Sequence, residues 1–193
     1  FLSSGDNIGA STFESFISND NPTIDALNAA GLEVSAVGNH EFDQGFAALL
    51  DRIPVSLGGT GDPTDLHKTQ FPYLGANVYA KDTSNPLLPE YTVIEKGGVK
   101  LGFVGAVTQE TTSLVSPAGI TMLDFGDPLV AINRVAAQLS DGNEANGEAD
   151  VVIALVHDGS NSTNCATIAA EPTHFGDLVR GASADVDVIF SAH

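Results

Sequence analysis

The sequence predicts an α/β fold built on a mixed β core. Three observations carry that expectation. Short apolar runs alternate with helix-patterned segments along the whole chain. The run Ala149-Asp150-Val151-Val152-Ile153-Ala154-Leu155-Val156 is nearly unbroken and rich in β-branched residues, as a central strand covered on both faces must be. Gly97-Gly98 falls between two strand-like segments, Tyr91–Lys96 and Val99–Val107, and a glycine pair in that setting forms a tight hairpin. The hairpin sets its two strands antiparallel, so the core is mixed and not purely parallel.

Taken in chain order, Phe1–Ser4 reads as the tail of a strand. Thr12–Ser18 and Thr23–Ala30 follow as helices, the second with Pro22 in its first turn and Asn21 as its N-cap. Leu32–Val37 is a strand and Phe46–Arg52 a helix. Gly58–Gln70, rich in Gly, Asp and Thr, is a surface loop. The hairpin strands come next, then a helix over Pro128–Leu139 capped by Asp127, and an acidic loop over Ser140–Ala149. The buried strand Asp150–Val156, a helix over Thr167–Val179 and a strand over Val186–Ser191 complete the chain. No internal repeat or linker divides it, so residues 1–193 are expected to form one domain.

Composition narrows the function. The 193 residues carry 7 basic and 25 acidic side chains, a net charge of −18. Duplex nucleic acid and anionic lipid both need a cationic face, so neither is an expected partner. No apolar run reaches the roughly 18–20 residues that span a bilayer, so membrane insertion is not expected either. The single cysteine, Cys165, excludes an internal disulfide and a Cys-rich zinc module. The chain opens at Phe1 without methionine and stops at His193 directly after an apolar run. Both ends are expected to lie inside structure, which makes this a fragment truncated at both ends.

Polar residues gather just past the strands. Ser3-Ser4-Gly5-Asp6-Asn7 follows the first, Gly38-Asn39-His40-Glu41-Phe42-Asp43 follows Leu32–Val37, His157-Asp158-Gly159 follows the buried strand, and His193 follows the last. Ligands of open α/β sheets bind at the carboxyl ends of the strands. Carboxylate, amide oxygen and imidazoles with no thiolate suit zinc, manganese, iron or cobalt. None of the seven basic residues lies inside these blocks. An anionic substrate such as a phosphate would therefore need metal ions to supply positive charge.

These blocks, Gly5-Asp6-Asn7-Ile8-Gly9-Ala10-Ser11, Gly38-Asn39-His40-Glu41-Phe42-Asp43, Val156-His157-Asp158-Gly159 and Ser191-Ala192-His193, resemble the successive motifs of calcineurin-like metallophosphoesterases. The nearest branch is the bacterial secreted 5′-nucleotidase and UDP-sugar hydrolase group. The resemblance implies a layered domain with a mixed β core flanked by helices. It implies that Asp6 bridges two divalent metal ions while Asn39, His157 and His193 complete the shell of one of them. His40 would act on the phosphoryl or leaving oxygen, oriented by Asp43. The implied reaction is hydrolysis of a nucleotide or other phosphate ester by metal-activated water. The implied location is extracellular, cell-surface or periplasmic.

Departures from the pattern set further expectations. The family's opening Asp-x-His block lies upstream of the Gly-Asp block and is not in this chain. Asp65-Leu66-His67 matches its letters but sits in a polar loop, and is read as a chance match. Ala192 replaces the glycine of the closing block, and the C-terminal nucleotide-specificity domain is not in this sequence. One metal site or none is therefore expected to be complete. A UDP-sugar hydrolase, a 2′,3′-cyclic nucleotide phosphodiesterase and a non-catalytic metal-binding or interaction domain are the alternatives. A Rossmann domain is disfavoured, because no Gly-x-Gly-x-x-Gly turn follows a strand. An open sheet edge would permit a homodimer.

The remaining candidates receive ordinary readings. Glu41 is expected to be an exposed carboxylate, His67 and His174 solvated, and Asn77 a turn residue without a role. Cys165 is expected to pack as a small apolar side chain. Asn161-Ser162-Thr163 matches a glycosylation acceptor at chance level.

Overall fold

The computed structural model describes residues 1–193 and sorts nine strands into three sheets. β1 (Leu2–Ser3), β2 (Val34–Ala36) and β3 (Tyr73–Leu74) form a parallel sheet in that order. β4 (Val78–Ala80) and β7 (Leu123–Phe125) form a small antiparallel ribbon. β5 (Tyr91–Lys96), β6 (Val99–Val107), β8 (Val151–His157) and β9 (Val188–Ala192) form the largest sheet, in the order β5-β6-β8-β9. β5 runs antiparallel to β6, whereas β6, β8 and β9 are parallel.

The hairpin turns at Gly97 and Gly98, with φ of 61° and 84°, between the paired residues Lys96 and Val99. Positive φ at both central positions matches the twist of the flanking strands, and glycine adopts it without strain.

Alternation along β8 explains how the layers stack. Ile153 and Leu155 point to one side, where they meet Val34, Ala36, Leu74 and Phe103 between the three-stranded and the four-stranded sheets. Val152, Ala154 and Val156 point to the other, onto Ile132, Val135, Ala136 and Leu139 of α5 (Pro128–Leu139) and Phe175 and Leu178 of α7 (His174–Gly181). α3 (Phe46–Arg52) contributes Phe46 and Leu49 to a further cluster with Phe42, Phe71, Tyr73 and Phe125. The layers thus run helix, sheet, sheet, helix, with β8 buried on both faces. Leu155 is fully buried between the sheets. Leu155→Ala should cost about 2–5 kcal/mol of stability in urea unfolding, from lost transfer energy and the cavity left behind. A loss below about 1 kcal/mol would mean that the two sheets do not pack as described.

Several elements differ from the sequence expectation. α1 is the single turn Phe13–Phe16, and α2 begins at Asn21, so Asn21 is inside the helix and not its cap. Asp20 precedes it with φ of 58°, and its buried carboxylate accepts from Gly9 N and Ser11 Oγ. The helix expected over Thr167–Val179 is two, α6 (Cys165–Ala170) and α7, parted at Glu171-Pro172. Proline drives the preceding residue into extended backbone, and Glu171 has φ −67° and ψ 133°. Asn164 and Thr173 then cap the two pieces separately, accepting from Thr167 N and Gly176 N. Cys165, expected to pack inside, is exposed at the start of α6. A short α4 (Thr111–Leu114) precedes β7. Asp127 does cap α5, accepting from Leu129 N and Val130 N. No helix is long and apolar enough to cross a membrane.

Candidate metal centre

The carboxyl ends of β1, β2, β8 and β9 meet at one edge of the sandwich. Just past them stand Asp6, Asn39, His157 and His193. His157 is the hub. Its Nε2 lies 3.0 Å from Asp6 Oδ2, 3.1 Å from Asn39 Oδ1 and 3.0 Å from His193 Nδ1. The two imidazole planes cross at 80° with centroids 4.9 Å apart. Asp6, His157 and His193 form the one cluster of acidic, histidine or cysteine side chains whose ligand atoms converge within 4.8 Å.

The proton inventory shows what this arrangement is suited to. His157 Nδ1 lies 2.8 Å from the Ser4 carbonyl oxygen, an acceptor, so Nδ1 carries a hydrogen. In the neutral ring Nε2 then holds a lone pair, yet it faces a carboxylate oxygen and an amide oxygen placed to accept. A cation among these atoms satisfies all of them at once. A backbone carbonyl fixing the far nitrogen of the ring is the usual outer support of a metal-ligating histidine. The residues therefore fit a divalent ion held by mixed nitrogen and oxygen donors. None of the seven basic residues pairs with the cluster.

Glycine is required where these segments cross. A Cβ on Gly38 would lie 2.3 Å from Asp6 Oδ1 and 2.8 Å from His157 Cε1. Asp6 itself is left-handed, with φ of 57°, and its Oδ1 accepts from His40 N at 3.0 Å. A 3₁₀ turn over His40–Phe42 carries His40 outward, half-exposed, with Nδ1 2.8 Å from Asp43 Oδ2. A cavity of about 390 Å³ opens beside His193, lined by Gly159, Ser160, Asn161, Ser162, Ile168 and Phe175.

Electrostatics follow from the same contacts. Burial pushes the His157 imidazole down, but the Asp6 carboxylate and the Ser4 carbonyl outweigh it and hold His157 above its ordinary 6.5. Burial likewise raises the Asp6 carboxyl, and the hydrogen bonds from His157 and His40 N overcome it and hold Asp6 below 3.8. The raised histidine stabilises the metal-free fold fully below pH 6.5, and that contribution is lost as pH rises through its elevated value. The lowered carboxylate contributes above 3.8 and is lost as pH falls through its depressed value. A metal ion competes with the proton for Nε2. Zinc affinity should therefore be flat above the His157 value and fall by about tenfold per pH unit below it, with proton release seen calorimetrically in buffers of different ionisation enthalpy. Affinity constant between pH 5 and 8 would contradict this account.

Two residues differ from their sequence expectations. Glu41, expected to be exposed, is 2% exposed, and its carboxylate accepts from the backbone of Gly38, Asp6 and Asn7. The consecutive N–H groups of Asp6 and Asn7 form an anion-binding concavity around it, which no local sequence signal announces. Asn77, expected to be a plain turn residue, is fully buried. It donates to the Val107 and Gly126 carbonyls and accepts from Val107 N, tying the end of β6 to the ribbon. Asp65 and His67 lie outside the cluster, next to Lys68 and Asp25 respectively, and His174 is exposed.

No family model matches the chain. Endonuclease YhcR of Bacillus subtilis is 36% identical over 193 residues, covering 98% of this chain and 15% of that protein. A 5′-nucleotidase of Vibrio vulnificus is 27% identical over 192 residues, covering 100% of this chain and 29% of the relative. The chain thus spans less than a third of the length of either. The crystal structure of the calcineurin-like phosphoesterase YfkN from Bacillus subtilis superposes with a TM-score of 0.67 at 23% identity, covering 98% of this chain and 56% of that one. At that identity the likeness is one of fold. Fold and sequence relatives point the same way: the chain is similar in sequence to an endonuclease and to a bacterial 5′-nucleotidase, and in fold to a calcineurin-like phosphoesterase.

Proposed function

We propose that the chain is the metal-binding core of a hydrolase that removes phosphate from nucleotides, in the manner of a 5′-nucleotidase. The observation that carries the proposal is the convergence of Asp6, Asn39 and His193 on one nitrogen of His157. A phosphate dianion meets no lysine or arginine here, so attraction and charge neutralisation fall to the metal site. A bound divalent ion would supply a Lewis acid and lower the pKa of a water. Asp6, Asn39, His157 and His193 would hold it. The donor set accommodates zinc, manganese, iron or cobalt. A dinuclear centre would share Asp6 between two ions, with its remaining ligands coming from outside these four residues. His40 stands beside Asp6 with Nδ1 turned to Asp43, which leaves Nε2 to hold and deliver a proton to the leaving oxygen. The cavity beside His193 offers room for the organic part of the ester. The domain reading, residues 1–193 as part of one catalytic domain, belongs to this proposal, as does a location outside the cytoplasm, which rests on the family resemblance.

A second reading, phosphodiester cleavage, is favoured by the 36% identity to a protein named as an endonuclease. The charge of −18 weighs against duplex substrates and leaves single strands and cyclic nucleotides. One assay separates the readings. The chain loaded with zinc or manganese is incubated with 5′-AMP, a UDP-sugar, 2′,3′-cyclic AMP and a single-stranded oligonucleotide. Phosphate released from 5′-AMP and abolished by chelation is the expected result. Cleavage of the cyclic nucleotide or oligonucleotide alone would transfer the assignment to a diesterase. A metal-loaded chain inert toward all four would leave a non-catalytic metal-binding domain.

A further inference from the structure

We infer that Glu41 is a positioning residue for the metal centre: its buried carboxylate sets the placement of Asp6 relative to Asn39. The inference rests on the metal-centre reading above.

Glu41 Oε2 accepts from Asp6 N at 2.9 Å and from Gly38 N at 2.5 Å, so a single oxygen joins the segment after β1 to the segment after β2. Oε1 accepts from Asn7 N at 2.7 Å and lies 3.4 Å from Ile8 N. The left-handed backbone at Asp6 is what turns these successive N–H groups toward one anion. The tie is reciprocal, because the Asp6 carboxylate accepts in turn from His40 N. Each segment thus supplies a carboxylate to the other's backbone. Behind Glu41, Tyr73 OH donates to Oε1 at 3.3 Å, and Asn7 Nδ2 donates to Ser35 Oγ and to the Tyr73 oxygen.

No lysine or arginine pairs with this carboxylate; backbone N–H dipoles surround it. Burial raises the Glu41 carboxyl above its ordinary value and the N–H groups of Gly38, Asp6 and Asn7 oppose that rise. An apolar or amide side chain would serve packing without that desolvation cost. What the carboxylate adds is register. Gly38 has no room for even a methyl group against Asp6 Oδ1, so the two segments already touch at their contact limit. Any change in their separation passes directly to the Asp6 carboxylate and hence to its 3.0 Å contact with His157.

Calorimetric titration of the 193-residue chain with zinc, paired with thermal melting, tests the inference. Glu41→Gln keeps the volume but turns an amide NH₂ toward backbone donors. We expect it to weaken zinc affinity by about 10–100-fold, the range seen when groups supporting metal ligands are removed. With cobalt, its visible absorption should differ from that of the unaltered chain. Leu139→Ala, in the helix layer behind the large sheet, should lower the melting temperature and leave zinc affinity within about twofold. Glu41→Gln with unchanged affinity and an unchanged cobalt spectrum would make Glu41 merely structural. So would an equal affinity loss in Leu139→Ala. Should Glu41→Gln fail to fold, Tyr73→Phe decides, since it withdraws one donor from Oε1. A severalfold loss of affinity is expected, and none would overturn the inference. Absence of zinc binding by the unaltered chain would instead overturn the metal-centre reading itself.

Discussion

His157→Ala should abolish tight metal binding by the chain, with a loss well beyond the roughly 100-fold that removal of a supporting group costs. Calorimetric titration of the metal-stripped chain should give about one zinc or manganese ion per molecule, and the variant should show no saturable heat. The expectation follows from the position of Nε2, the one atom within 3.1 Å of donor atoms from Asp6, Asn39 and His193. Each of those three could be lost with the others still facing a common centre, whereas loss of His157 separates them. The side chain is 1% exposed at the end of β8, so truncation also leaves the Ser4 carbonyl without its donor. A stability decrease of about 1–3 kcal/mol should accompany the loss of metal. That decrease is too small to unfold a domain of ordinary stability, so the melting curve separates loss of the ion from loss of the fold. Two ions per chain would bring in donors from outside the cluster. No binding by the unaltered chain would remove the basis for the centre.

The sequence made the strand-end geometry legible most plainly where a block follows a long apolar run, as His157 does at the end of β8. β6 and β8, with nine and seven residues, carry unmistakable burial patterns, and the Gly97-Gly98 turn needs no tertiary context. β3, β4 and β7 were not legible. They have two or three residues each, too few for alternation to show, and form only because neighbouring strands are already in place. The division of the last helix was legible in Pro172, which the apolar periodicity on either side obscured. Glu41 was misread for a deeper reason. A carboxylate is exposed by default, and of the donors that permit its burial only Gly38 N is local, while Asp6 N and Asn7 N come from a segment more than thirty positions away. Pairwise spacing reveals Asp43 beside His40, three residues on, but cannot reveal a concavity assembled by a left-handed Asp6.

His40 offers the sharpest test of chemistry as distinct from binding. His40→Ala in the metal-loaded chain should lower turnover of 5′-AMP by about 10²–10⁴-fold, the usual contribution of a positioned acid or base. The ion itself should remain, because the imidazole of His40 is not among the atoms converging on His157. Its backbone N–H, which holds Asp6 Oδ1 at 3.0 Å, survives the substitution. Asp43→Asn should cost less, since the amide still offers an oxygen to Nδ1 and so keeps the ring oriented. Leaving-group chemistry then separates two roles. A nucleoside alkoxide needs a proton as its bond to phosphorus breaks, whereas p-nitrophenolate departs as a stable anion. If His40 delivers a proton, the penalty of His40→Ala should shrink by at least about tenfold when p-nitrophenyl phosphate replaces 5′-AMP. An equal penalty on both substrates would assign His40 to stabilising the phosphoryl oxygens instead. Loss of metal from His40→Ala would refute both roles, since the imidazole would then belong to the ion's own shell.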